Sequence, residues 1–318
     1  MSKRNLWAVF AFLASALLFS ACTARQEMPQ KGDVFKVVAT TTIVGDVVAQ
    51  VGGDLIELHV LLPVGTDPHS FDPTPQDIAK VADADIIFAN GAGLEEFLDP
   101  LIESAGADGK VVHVSDGIDF LMLESDEHDH DGEELEDEEH THEGVDPHTW
   151  VDPNNVMLWV KNIEHALSEA DPQHAEAYAA NAAVYETELK DLDAWIREQI
   201  AKIPEENRKL VTDHTLFGYF AEEYGFEQVG ALIPGYSTLA EPSAQELAAM
   251  EDAIDKLDVQ AIFVGNTVNP ALAERVAADT GIQLIYVYTG SLSEPGGAAA
   301  SYLEYMRYNT SAFANALQ

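Results

Sequence analysis

The chain has 318 residues, enough for about two domains, and 47% of them are hydrophobic, so wholesale disorder is excluded. With 16 Lys and Arg against 56 Asp and Glu, a formal charge of −40, it cannot gather the basic face that nucleic acid requires. A single cysteine, Cys22, rules out an intrachain disulfide or a thiolate cluster, which leaves nitrogen and oxygen as donors for any metal chemistry.

Residues 1–21 read as an export signal. Lys3 and Arg4 precede an apolar run from Leu6 to Phe19, shorter than the ~20 residues of a comfortable membrane span. The run ends in Leu18-Phe19-Ser20-Ala21-Cys22, which resembles a bacterial lipobox, so Cys22 is the expected lipidation site. An ordinary signal peptide with an incidental cysteine is the alternative. An unpaired reactive thiol is a liability outside the cell, and this favours lipidation. Residues 22–34 are polar and read as a tether to the folded part.

From residue 35 short apolar strands alternate with helical patterns, the sign of parallel βαβ units. Strands are expected at Phe35–Thr40, Ile56–Leu62, Asp85–Ala89 and Lys110–Val114, with helices at Val44–Val51, Pro75–Ala84 and Leu94–Ser104. Thr74 and Pro75 are a cap and first turn. The grammar repeats with strands at Leu210–Thr212, Gln228–Ile233, Ala261–Val264 and Leu284–Tyr288. Helices are expected at Phe217–Tyr224, Ser243–Lys256, Pro270–Thr280 and Tyr302–Leu317. Between the halves, Ala175–Ile203 holds no Gly or Pro, and Val184, Leu189, Leu192, Trp195, Ile196 and Ile200 fall near helical spacing. One helix of that length spans about 43 Å. The fold class is therefore α/β: an N-terminal lobe at 35–171, a linking helix within 172–204 and a C-terminal lobe at 205–318. A cleft between such lobes is a preferred ligand site.

Residues 124–146 form an insertion with 13 acids, no Lys or Arg, and His128, His130, His140 and His142. Self-repulsion makes it a solvated segment. Paired histidines among carboxylates suit auxiliary capture of a divalent metal, against the plainer reading as a linker.

Two segments echo each other, Asp67-Pro68-His69-Ser70-Phe71-Asp72-Pro73 and Asp146-Pro147-His148-Thr149-Trp150-Val151-Asp152-Pro153. Proline restrains each turn, so the imidazole direction is held before any ligand arrives. His69 and His214 each follow a strand, at the carboxyl edge where open α/β sheets bind ligands. Three histidines, His69, His148 and His214, can thus converge on one metal ion. His59, His113, His165 and His174 stand alone and read as structural.

These motifs resemble those of the zinc/manganese solute-binding lipoproteins of ABC importers, the cluster A-I type. The two D-P-H turns resemble the first and second ligand motifs, and Thr212-Asp213-His214-Thr215-Leu216-Phe217-Gly218-Tyr219-Phe220 resembles the third. Asn90-Gly91-Ala92-Gly93-Leu94-Glu95, Glu241-Pro242-Ser243 and Met306-Arg307-Tyr308-Asn309 extend the likeness over nearly the whole mature chain. The resemblance implies two lobes joined by a rigid helix, a buried cation between them, and delivery to a membrane permease and its ATPase. It also implies an extracytoplasmic, lipid-anchored protein, expected to be a monomer and not an enzyme.

A third histidine and a His-rich insertion resemble the zinc branch, and nitrogen donors suit Zn²⁺ where carboxylates suit Mn²⁺. Zinc is the expected cargo. Manganese or iron is the alternative, as is a surface metal buffer or adhesin without a permease. A zinc enzyme with three histidine ligands is the further alternative, and no nucleophile or H-E-x-x-H motif supports it. The chain departs from the family at Gly290, where an Asp ligand is usual, and at Gly265, where a Glu is usual.

Overall fold

The computed structural model describes residues 34–122 and 144–318. The export signal, most of the tether, Cys22 and the histidines His128, His130, His140 and His142 lie outside the described residues. Among the described residues no helix is long and apolar enough to cross a membrane.

The first sheet holds β1 (Phe35–Ala39), β2 (Ile56–Val60), β3 (Ile86–Ala89) and β4 (Val111–His113), all parallel in the order β2-β1-β3-β4. Helices α1 (Thr42–Gly52), α2 (Pro75–Asp83) and α3 (Leu98–Ala105) make the crossovers. The second sheet repeats the plan. Strands β5 (Lys209–Thr212), β6 (Glu227–Ala231), β7 (Ala261–Val264) and β8 (Gln283–Tyr286) pair in parallel as β6-β5-β7-β8. Between them run α4 (Pro153–Ala170) and α5 (Ala175–Ile200), and α6 (Gly218–Tyr224), α7 (Ala244–Leu257) and α8 (Ala271–Thr280) serve the second sheet before α9 (Tyr302–Leu317) closes the chain. The two parallel sheets flanked by helices are those expected from the βαβ grammar.

Helix α5 is shorter than its pattern suggests. It ends at Ile200, because Lys202 and Ile203 donate to Gln199 and Ile200 in a tightened turn ahead of Pro204, which has no N–H to give. Its buried face is Tyr178, Ala182, Tyr185, Leu189, Leu192, Ile196 and Ile200, a run of three- and four-residue steps. Val184 points outward instead and is 62% exposed. Helix α3 starts late, at Leu98 rather than Leu94, because Glu95 turns inward. Its carboxylate takes the N–H groups of Asn90 and Gly91 and the hydroxyl of Thr40.

The core is continuous through the middle of the molecule. Residues of α1, α4, α5, α6 and α9, with inward side chains of both sheets, make one buried cluster that includes Trp150, Trp159, Tyr178, Tyr302 and Phe313. Two smaller clusters lie outside it, one under α2 and α3 and one under α7 and α8. Helix α5 packs on α1, α4 and α9, so it braces elements from both ends of the chain.

Candidate metal centre

His69 lies beyond the carboxyl end of β2, and the Asp67-Pro68-His69 turn is set by its own carboxylate. Asp67 accepts from the His69 N–H at 3.1 Å and from the Ser70 hydroxyl at 3.2 Å. The second turn repeats the device, with the Asp146 carboxylate accepting from the His148 N–H at 3.0 Å. The same oxygen faces His148 Nδ1 at 2.8 Å. His214 follows β5, and there the Asp213 carboxylate meets both the His214 N–H and its Nδ1. The other Asp213 oxygen accepts from the Gly265 N–H, which ties it to the loop after β7.

The three imidazoles meet. Each offers a ring nitrogen, and these atoms lie within 4.8 Å of one another. His69 Nε2 and His148 Nε2 are 3.2 Å apart, and the ring centroids of His148 and His214 are separated by 5.1 Å. All three side chains are buried. His148 and His214 present Nδ1 to a carboxylate, so Nε2 is left as the lone-pair donor, the arrangement that orients histidines toward a metal.

Burial favours neutral imidazole at His69 and His148. The His69 pKa is pushed down to about 3, first by burial and then by His148 and His214. His148 is driven well below its ordinary value by the same burial. Burial also raises Asp146 to about 7. A dication arriving between the rings takes the lone pairs of neutral imidazoles and favours the ionised form of the carboxylates behind them. The carboxylates of Asp146 and Asp213, one bond behind the imidazoles, then supply compensating negative charge.

Among the described residues, no carboxylate joins the three histidines in the group that could hold a metal ion. Gly290 faces the first turn, and a Cβ built there would lie 2.8 Å from Pro68 Cδ. At Gly265 a Cβ would overlap Thr289, whose side chain occupies the space a longer residue would need. The four histidines that stand alone in the sequence are elsewhere. His174, for example, pairs with Asp171 at the start of α5. Asp146, expected to belong to the solvated insertion, is instead buried beside His148. Sequence reasoning missed the roles of Asp146 and Asp213 behind the rings, although an Asp one or two residues before each His was a usable signal.

Comparison with known proteins finds metal-binding relatives along nearly the whole chain. A family model described as "ZnuA: Zinc-uptake complex component A periplasmic" matches residues 37–316. The manganese-binding lipoprotein MntA of Halalkalibacterium halodurans is 35% identical over 310 residues, 97% of each chain. The iron ABC transporter substrate-binding lipoprotein MtsA of Streptococcus pyogenes is 32% identical over 316 residues, again 97% of each. The solved structure of the periplasmic zinc-binding protein TroA of Treponema pallidum superposes with a TM-score of 0.78 at 26% identity, covering 89% of this chain and 98% of TroA. These are substrate-binding components and not enzymes. The chain belongs to the ZnuA family of periplasmic zinc-uptake complex components.

Proposed function

We propose that the protein captures a divalent transition-metal ion outside the cytoplasm and delivers it to an ABC permease, with His69, His148 and His214 as the ligands. The observation that carries this reading is the convergence of three buried imidazoles, two of them, His148 and His214, with Nδ1 against a carboxylate. Anchoring through Cys22 and action as a monomer belong to the same proposal, and MntA and MtsA are both named as lipoproteins.

The cargo assigned here is manganese, with ferrous iron next. Relatives matched along almost their whole length carry those names. The zinc expected from the nitrogen count keeps support from the donor set itself, since imidazole suits Zn²⁺. Affinity alone does not identify the cargo, because Zn²⁺ outranks Mn²⁺ at nearly any such site. The deciding experiment measures manganese, iron and zinc uptake in cells lacking their own importer, supplied with this protein and its permease. Manganese accumulation that vanishes in His69→Ala, His148→Ala and His214→Ala is the expected result. Zinc accumulation alone would return the assignment to zinc, and no uptake of any metal would favour a surface buffer.

A further inference from the structure

The stretch Phe217-Gly218-Tyr219 follows His214 by three residues and has no part in the proposed ligand set, yet it reaches Asp146, two residues before His148. Tyr219, on α6, is buried. Its hydroxyl donates to the Asp146 carbonyl at 2.8 Å and accepts from the Leu121 N–H at 3.2 Å. Asp146 N–H donates in turn to the Leu121 carbonyl at 2.8 Å, so Tyr219, Leu121 and Asp146 close a small ring of hydrogen bonds. Gly218 makes this approach feasible. A Cβ there would come within 2.6 Å of Asp146 Oδ2, the oxygen that has no partner among the described residues.

Resting on the metal-capture reading above, we propose that Tyr219 is a positioning residue for His148, acting through the Asp146 peptide. The logic is mechanical. The Asp146 carboxylate bonds both the backbone and Nδ1 of His148. A hydroxyl that fixes the Asp146 backbone therefore fixes which nitrogen of His148 carries the proton and where Nε2 points. Because Tyr219 sits on the helix that begins just after His214, the same element sets both ligands. Displacement of His214 would pull on α6 and disturb His148, so release of the ion from one ligand loosens the next.

The test compares wild type with Tyr219→Phe, with Tyr224→Phe as a control on the same helix, whose hydroxyl bonds Asp193 on α5 and not the ligand turn. Mn²⁺ affinity is measured by competition, its dissociation by chelator trapping, and the His148 tautomer by nitrogen-15 spectra of the metal-free protein. The His148 signal is assigned by its loss in His148→Gln. Tyr219→Phe is expected to weaken Mn²⁺ binding about tenfold or more, chiefly by faster dissociation, and to mix the His148 tautomers. Tyr224→Phe should leave both readouts unchanged whatever it does to the melting temperature. Wild-type affinity within about twofold and a single tautomer in Tyr219→Phe would overturn the inference. Unchanged binding in His148→Gln would instead overturn the metal reading beneath it. Should Tyr219→Phe not fold, Gly218→Ala reads the same contact, since its methyl must push Asp146, and unchanged affinity there would equally overturn the inference.

Discussion

Gly290 and Pro68 touch, the proline ring of the His69 turn seated where a side chain at 290 would begin. Gly290 is not among the residues with positive φ, so the contact, and not the backbone conformation, is what requires glycine. A proline ring is fused to its backbone and cannot rotate away, so any Cβ at 290 must move the turn that carries His69.

Restoring the family's carboxylate is therefore expected to fail. Gly290→Asp and Gly290→Ala should both weaken Mn²⁺ and Zn²⁺ binding, by about fivefold to 150-fold if overpacking costs its usual 1–3 kcal/mol. Isothermal titration of both variants with both metals checks this. Tighter binding in Gly290→Asp alone would show that the turn yields and that the carboxylate reaches the ion.

A second contact joins Asp67 to the hydroxyl of Thr238. The same seam holds Gly65 N–H to Ser291 Oγ at 2.8 Å and Leu292 N–H to Thr42 Oγ1 at 2.9 Å. Each of these bonds ties a residue of the first half of the chain to one of the second. Thr238→Val keeps the shape and removes the donor, so metal dissociation should quicken several-fold with little change in association. Stopped-flow chelation separates the two rates, and an unchanged dissociation rate would show that the bond does not help retain the ion.

Asp152 gives the clearest dependence of stability on pH away from the ligands. Burial lifts its pKa to about 6, and Glu223 and Asp193 add to the rise against the hydrogen bonds from Asn154. The unfolded value is near 3.9, so between the two the folded state binds more protons and stability falls as pH rises through that window. Asp152→Asn keeps the cap on α4 and cannot ionise. Its advantage over wild type should be small at pH 4 and reach about 2–3 kcal/mol at pH 7.5. Thermal melts of the metal-free proteins at the two pH values measure it.

Much of this architecture was legible because its strands and helices are locally consistent. The strand Ala261–Val264 is buried at all four positions, and the closing helix Tyr302–Leu317 carries its own cap at Ser301. The histidine turns were legible for the same reason, since aspartate and proline fix them within a few residues. The late start of α3 was not, because it depends on Glu95 folding back onto Thr40, 55 residues away. Tyr219 on Asp146, Thr238 on Asp67 and Pro68 on Gly290 are likewise long-range contacts that no spacing announces. The metal was the hardest part, as counting nitrogens pointed to zinc while whole-length relatives bear the names of manganese and iron.

The acidic segment offers a separable test. Met122 and Val145 pair as an antiparallel bridge, and Gly144 has a φ of 92°, a conformation suited to a tight turn. Deleting residues 124–143 leaves Leu123-Gly144 as a two-residue connection. The shortened protein should fold, keep its tight site, and lose additional weaker metal binding. Titration to excess metal with equal stoichiometry in both forms would show that His128, His130, His140 and His142 take no part.

Trp150 stands two residues beyond His148 with its ring centroid 5.2 Å from the imidazole. Its indole N–H is held by the Thr289 carbonyl at 3.3 Å and the Tyr305 hydroxyl at 3.2 Å, and its own carbonyl accepts from Tyr302. The fluorophore is thus immobile, dry and wedged between an imidazole and the closing helix. Whatever alters the charge on that imidazole alters the field across the indole, so the protein's native emission carries a record of whether its cleft is full.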